Sequence, residues 1–340
     1  MTTELIDSFN RKIDYLRLSV TDRCNLRCFY CMPKKGIKLL KKEQLLTFEE
    51  IIRATKILSG IGIKKVRLTG GEPLIRDNIL SLIENIHKID GIEDLSLTTN
   101  GLLLSEYLPQ LFKAGVGKLN ISLDSLNPQK YKIITRGGDV GKVIDGINKA
   151  SDIGFGSIKL NVVLTTIIDR DDIIDFIRFS IEKELSIRFI EMMPVKGLDT
   201  VECSRIIRNE SKTSIGIDSI LSIMGMFGAY EKVEVKDGYG PAIYYKFIGG
   251  NGKIGFIFNQ KSVCHSCNRI RLTPYGAVRL CLFSQLELNI RDSFRKGLSD
   301  EEIKNSILDI IKEKPLDREH DVENTKNGSM LLNHMNKIGG

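Results

Sequence analysis

From Tyr15 to about Met192 the apolar and polar positions follow one repeating scheme. Short apolar runs rich in β-branched residues alternate with longer stretches whose apolar residues recur at helical spacing. The runs Leu16–Val20, Lys65–Thr69, Leu95–Thr98, Lys118–Leu123, Lys159–Leu164 and Ser186–Glu191 predict strands. The stretches Thr47–Leu58, Asp77–Lys88, Ser105–Ala114, Val140–Ile153 and Asp171–Ser180 predict helices. Thr47 can cap its helix, and Glu50 three residues on completes a capping box. Strands alternating with helices imply βαβ units and a parallel sheet. Six such units are too few for a closed eight-stranded barrel, and periodicity alone leaves a partial barrel and a doubly wound sheet both open.

From about Thr213 the pattern changes. Ile215–Met226 predicts a helix, and Tyr230–Val235, Ala242–Phe247 and Lys253–Phe258 predict strands. The turns between them carry Asp237, Gly238, Gly240 and Pro241, then Gly249, Gly250 and Gly252, which suits an antiparallel meander. Leu286–Arg295 and Ser299–Lys312 predict helices, the second with Ser299 and Glu302 as a capping box. Pro315–Asn327 is polar and expected to be loose. The expected division is 1–210 and 211–340.

Composition narrows the classes. A chain of 340 residues with 42% hydrophobic content has room for a large α/β unit and an appendage. No apolar run approaches the roughly 18 residues of a membrane helix. The polar start, with Glu4 and Asp7, is not a signal peptide, so the cytoplasm is expected, where clustered thiols mean metal or catalysis. The net charge of +7, from 50 basic and 43 acidic residues, permits an anionic ligand without calling for nucleic acid. Aromatics at 7% and no Trp argue further against a nucleic-acid module. Five lysines within Lys34–Lys42 fit a solvated loop.

The chemistry collects in two cysteine groups. Cys24, Cys28 and Cys31 follow the first strand in C-x3-C-x2-C spacing. Three thiolates can hold three irons of a four-iron cluster and leave the fourth open. Structural zinc wants four protein ligands, and the first histidine is His87. Cys264, Cys267 and Cys281 form C-x2-C-x13-C. His265 could complete a zinc site there, but it lies between the first two cysteines, a poor place from which to close a tetrahedron. Cys203 is left over and is taken as structural or incidental.

In barrels, functional residues gather at the C-terminal ends of strands. Those ends carry Thr69 to Pro73 with Gly70, Gly71 and Glu72; Thr98 to Gly101; Ser122 to Ser125; and Glu191 to Pro194. Two adjacent glycines let the backbone approach a ligand closely. Arg17 and Arg67 alternate with apolar residues on predicted strands, so an inward arginine must be paired or meet an anion.

The two thiol groups, the Gly70–Pro73 segment, Thr98–Gly101, the run Cys267 to Thr273 and the terminal Gly339–Gly340 together resemble the GTP 3′,8-cyclase family of molybdenum cofactor biosynthesis, in the radical S-adenosylmethionine (SAM) superfamily. The resemblance runs from Arg17 to Gly340. One departure lies at Thr273–Gly276, where the family more often has Asp before the glycine. The resemblance implies a partial open (β/α)6 barrel of the TIM type, with a C-terminal antiparallel sheet and helix extension. It implies two 4Fe-4S clusters, one on Cys24, Cys28 and Cys31 and an auxiliary one on Cys264, Cys267 and Cys281. SAM would meet Tyr30, Gly71, Ser122 and Met193. GTP would meet Arg17, Arg67, Thr98, Lys159, Arg269, Ile270 and Arg271, its guanine at the auxiliary cluster. The implied reaction removes the ribose 3′ hydrogen, joins C3′ to guanine C8 and adds one electron. Gly339 and Gly340 would reach the active site and serve turnover. The implied partners are an electron donor and, functionally, cyclic pyranopterin monophosphate synthase, with a homodimer allowed and no nucleic acid or membrane. A radical SAM peptide maturase would call for more C-terminal cysteines than the three present.

Overall fold

The computed structural model describes residues 4–193, 215–234, 240–258 and 262–317. Cys203, Pro194, Val235, Gly339 and Gly340 lie outside them, as does most of the stretch expected to be loose.

Six strands lie side by side in parallel: β1 (Tyr15–Ser19), β2 (Lys65–Thr69), β3 (Asp94–Thr99), β4 (Lys118–Ser122), β5 (Ser157–Leu164) and β6 (Ser186–Glu191). Then come β7 (Tyr230–Val233), β8 (Ile243–Phe247) and β9 (Lys253–Ile257), an antiparallel meander whose β9 pairs in parallel with β6. On the other side β10 (Arg269–Leu272) pairs in parallel with β1, followed by antiparallel β11 (Ala277–Arg279) and β12 (Glu287–Asn289). All twelve belong to one sheet with β12 and β7 at its edges, so it stays open. Six consecutive parallel strands in an open sheet are the partial barrel that the family resemblance implied.

The crossover helices are α1 (Phe48–Gly60), α2 (Ile79–His87), α3 (Leu104–Lys113), α4 (Pro128–Thr135), α5 (Val140–Ile153) and α6 (Arg170–Lys183). Beyond them lie α7 (Ile217–Gly225), the single turn α8 (Ser262–His265), α9 (Ile290–Arg295) and α10 (Asp300–Lys312). The capping boxes at Thr47 and Glu50 and at Ser299 and Glu302 are both formed. Gly146 on α5 lets that helix close on α3, where an added Cβ would lie 3.1 Å from Leu104 Cβ.

Three features differ from the sequence expectation. β10, β11 and β12 were not expected as strands. Leu286–Arg295 is not one helix: Glu287–Asn289 pairs with β11, and Asn289 then caps α9 by accepting from the Asp292 N–H. α4 was also missed; Asn127 caps it and Pro128 opens it.

Parallel strands covered by helices are usually apolar on both faces. Here only one face is. Leu16, Leu18, Val66, Leu68, Leu97, Leu119, Ile121, Leu160, Ile187 and Phe189 are wholly buried under the helices. The residues between them point to the other face: Arg17, Arg67, Ser96, Asn120, Lys159 and Arg188. Strand alternation therefore makes a hydrophobic outer face and a polar, cationic inner face.

Candidate active site

The first cysteine loop leaves the C-terminal end of β1 and is tied down on three sides. Val20 N–H donates to Thr69 O at 2.9 Å. Gly71 and Glu72 N–H groups donate to Thr21 O and Arg23 O, each at 2.8 Å. Arg27 and Phe29 donate to Thr135 O and Ile134 O at the end of α4, at 3.2 and 3.0 Å. The approach is close at Gly71: an added Cβ would stand 2.0 Å from Arg23 O and 3.1 Å from Cys24 Cβ. Cys24 Sγ accepts the Leu26 N–H at 3.4 Å and faces Asn100 Nδ2 at 3.8 Å. Burial pushes the Cys24 thiol up to about 11 and also raises Cys28 well above the usual thiol range, with the charges of Asp124, Cys31 and Cys24 adding to Cys28. A cationic metal reverses that penalty. Three thiols on one loop, with N–H donors aimed at sulfur, fit three irons of a cubane and leave zinc one ligand short. Among the described residues, no three His, Cys, Asp or Glu side chains converge as donors to a single ion.

Two buried carboxyls brace this end. Glu72 accepts from Leu74 N–H (3.1 Å), Thr99 Oγ1 (2.9 Å) and Asn100 N–H (2.7 Å), joining the tops of β2 and β3. Burial lifts its pKa to about 7 despite those donors. Asp124 accepts from the Tyr30 hydroxyl (2.8 Å) and Val163 N–H (2.9 Å), and burial lifts it to about 6. Tyr30 is thereby oriented beside Cys28 and Cys31.

The inner face carries a row of arginines set by strand register. Arg17 lies opposite Arg67 on β2 and Arg271 on β10, and Arg271 lies opposite Arg279 on β11. Arg17 has its pKa held well below the usual range, first by burial and then by Arg271, with Arg67 and Arg269 acting in the same sense. Arg271 is pulled to about 10, again by burial and then by Arg269. Arg188, 6% exposed, donates to Asn120 Oδ1 at 2.6 Å while its Nε has no partner. Thr98 Oγ1 is buried without a partner on the same inner face. Tyr15, Arg67, Ser96, Asn120 and Lys159 line one cavity there, whose rim also holds Asp94, paired with Lys118, and Lys65, paired with Asp14 at 2.6 Å. The arginines gathered on this inner face make it a favourable surface for an anion.

The second thiol group frames the open end of the β10–β11 hairpin. Cys267 precedes β10 and Cys281 follows β11, so both lie at the end of the sheet away from the Cys24–Cys31 loop. Burial and the charges of Cys281 and Cys267 raise Cys264. Burial also acts to raise Cys267, but the cations Lys314 and Arg269, together with hydrogen bonds from Arg269, outweigh it and hold the thiol at about 6. Leu282 and Phe283, just after Cys281, pack with Met192 in the small apolar cluster that includes Tyr30 and Met193. The two thiol sites thus face one interior.

The Radical SAM superfamily model matches residues 18–180, and the Molybdenum Cofactor Synthesis C model matches residues 185–320. The GTP 3′,8-cyclase of Peptoclostridium acidaminophilum is 43% identical over 337 residues, covering 99% of this chain and 98% of that protein. The chain belongs to the GTP 3′,8-cyclase family. The family's protein from Thermodesulfovibrio yellowstonii is 42% identical over 336 residues, covering 98% of this chain and 99% of its own. Streptococcus suis SuiB shares the fold, with a TM-score of 0.60 at 16% identity over 91% of this chain and 68% of that one.

Within this GTP 3′,8-cyclase family member the structure gathers Cys24, Cys28, Cys31, Tyr30 and Gly71 at one end. It aligns Arg17, Arg67 and Arg271 across three strands and sets Thr98, Lys159 and Arg269 on the same inner face. Ser122 ends β4, and Met193 packs in the apolar cluster beside Tyr30. Ile270 is different: its side chain is wholly buried in the outer core, away from the inner face. Sequence reasoning did not single out Arg188, Arg279 and Asn120, and noted Asn100 only within the Thr98–Gly101 strand end. The first three became recognisable only through register.

Proposed function

We propose that this chain is a radical SAM enzyme converting GTP to (8S)-3′,8-cyclo-7,8-dihydroguanosine 5′-triphosphate, the first step of molybdenum cofactor biosynthesis. The observation that carries this reading is the arginine row lying between two three-thiol sites. Cys24, Cys28 and Cys31 would hold the SAM-binding 4Fe-4S cluster, and Cys264, Cys267 and Cys281 the auxiliary one. When bound, the clusters and SAM supply a carbon radical able to remove a ribose hydrogen. The chain's own residues bind and orient. Gly71, lacking Cβ, lets main chain press against the cysteine loop, and Tyr30, Ser122 and Met193 would flank SAM. Arg17, Arg67, Lys159, Arg269 and Arg271 would hold the triphosphate, since planar guanidinium forks match phosphate oxygens. Thr98 would give its unused hydroxyl to the same ligand. The cluster in which Val163, Leu282 and Phe283 pack on Met192 would help keep water from the space between the thiol sites.

The division at about residue 210, an electron donor, a link to cyclic pyranopterin monophosphate synthase, a homodimer and a cytoplasmic setting belong to the same reading. So does a turnover role for Gly339 and Gly340. The decisive experiment is iron analysis of anaerobic protein alongside SAM cleavage and product assays. Wild type should carry about eight irons per chain. Cys28→Ala should lose SAM cleavage, and Cys267→Ala should keep the first cluster but make no cyclised product. Stoichiometric zinc without iron would overturn the reading.

A further inference from the structure

Behind the second thiol group lies a pair of buried cations that the proposed reaction leaves unassigned. Lys314, two residues beyond α10, is only 2% exposed. Its ammonium donates to Arg269 O at 3.0 Å and also to Leu280 O. Arg269 is two residues after Cys267, and Leu280 is the residue before Cys281. One ammonium therefore joins the two arms of the hairpin beside the cysteines they carry. Arg11 does the same from the other side. Its guanidinium donates to Cys264 O at 2.8 Å, Leu316 O at 2.9 Å, Pro315 O at 2.7 Å and Lys314 O at 3.5 Å. Asp7 fixes Arg11 in turn, accepting from its Nε at 2.6 Å and its main-chain N–H at 2.9 Å.

A surface lysine could do nothing comparable, because its rotamers and hydration would average the contact away. A buried ammonium must satisfy its three donors and hold its charge, which is costly unless the site uses both. Carbonyl dipoles alone compensate a full positive charge poorly. Thiolates bound to a cluster provide the anionic neighbour that the buried charge lacks among its carbonyl contacts.

We propose that Lys314 is a positioning residue of the auxiliary site: it clamps the Cys264–Cys267 arm to the Cys281 arm and biases the bound cluster towards its reduced state, while Arg11 locks the Lys314 segment in place. The proposal rests on the reading of Cys264, Cys267 and Cys281 as cluster ligands. Added negative charge on the cluster is favoured by a fixed cation nearby, so removing that cation disfavours reduction.

The test uses the full-length chain, reconstituted anaerobically, with Cys28→Ala as background so that only the auxiliary cluster is read. Lys314→Met keeps the length and removes the charge; Lys314→Arg restores the charge. Iron content and an electron-paramagnetic-resonance redox titration are measured for each, with far-UV circular dichroism as the fold check. The expected result for Lys314→Met is a folded chain that either loses auxiliary iron or keeps it with a reduced-to-oxidised ratio at least about tenfold lower at fixed potential, the scale expected for removing one fixed charge beside the site at an effective dielectric of about 20. Lys314→Arg should recover the wild-type ratio at least in part. Full iron with an unchanged ratio in Lys314→Met overturns the proposal. So does loss of folded signal in that variant, which would make Lys314 a general fold element. If the background protein with native Lys314 binds no second cluster, it is the two-cluster reading that fails.

Discussion

The arginine row makes an unusual demand on the ligand-free protein, and Arg17→Met exposes it. Arg17 stands between Arg67 and Arg271 in register. Neighbouring strands are about 4.8 Å apart, so the guanidinium heads lie on the order of 6 Å apart. At an effective dielectric of about 20, two unit charges at that separation repel by about 3 kcal/mol. Arg17 meets two such neighbours, so with salt and residual hydration reducing the sum roughly 4 kcal/mol of repulsion is relieved when the central charge is removed, offset in part by the loss of Arg17's own contacts. Methionine keeps much of the apolar stem, which limits the loss of packing. The ligand-free variant should therefore melt no lower than wild type, and up to several degrees higher. Nucleotide binding should move the other way. A charge-assisted contact contributes about 1.5–3 kcal/mol, so GTP and inorganic triphosphate should bind about 10- to 150-fold more weakly. Calorimetric melts across a triphosphate titration measure both effects in one series. A variant less stable than wild type by more than about 1 kcal/mol, with unchanged triphosphate affinity, would refute the view that this row is held apart for an anion.

Gly71→Ala places a Cβ 2.0 Å from Arg23 O, so the chain should fold but lose SAM cleavage, with iron analysis showing loss confined to the first site. Glu72 titrates at about 7 in the fold against 4.5 ordinarily, because of burial. Between those values the folded state holds the extra proton, so its stability should fall as pH rises across that window, by roughly 3 kcal/mol, and level off above it. Glu72→Gln should flatten melting curves of the metal-free chain over that window; an unchanged slope would contradict the assignment. Deleting Gly339 and Gly340 should leave SAM cleavage intact and remove cyclised product, as judged by 5′-deoxyadenosine release beside product formation; full product would make the tail dispensable.

The βα alternation was legible because each strand and helix has its own apolar period, and each helix start its own cap. The chemistry at strand ends was legible for the same reason: glycine pairs and cysteines are rare enough to stand out. α4 was not, since Pro128–Thr135 buries only Tyr131, Ile134 and Thr135 and offers a weak stripe. Its one local sign was Asn127 before Pro128. Yet α4 supplies two of the carbonyls that hold the cysteine loop. Arg188 and Asn120 were not legible either. A charged residue in a strand gives no hint of which face it occupies until its neighbours are paired, and only the β4–β5–β6 register brings these two together.

The spacing C-x2-C-x13-C shows how register turns sequence into a site. As a string, thirteen residues between ligands look like an ordinary loop, and the four residues of β10 are too few for periodicity to reveal a strand. In the fold they are one hairpin. The chain climbs β10 beside β1, turns through Thr273–Gly276, where Gly276 takes a φ of +87° and donates to Thr273 O at 3.0 Å, and descends β11. A strand up and a strand down must end where they began, so Cys267 and Cys281 meet at the same end. The climb places Arg269 and Arg271 two residues apart on the inner face, and the descent sets Arg279 opposite Arg271. Lengthening the hairpin by one residue on a single arm would turn either the cysteine or the arginine to the wrong face, because strand side chains alternate. The spacing therefore couples the second thiol group to the arginine row, and pairing of β10 with β1 brings that row to Arg17, on the strand that leads to the first cysteine loop.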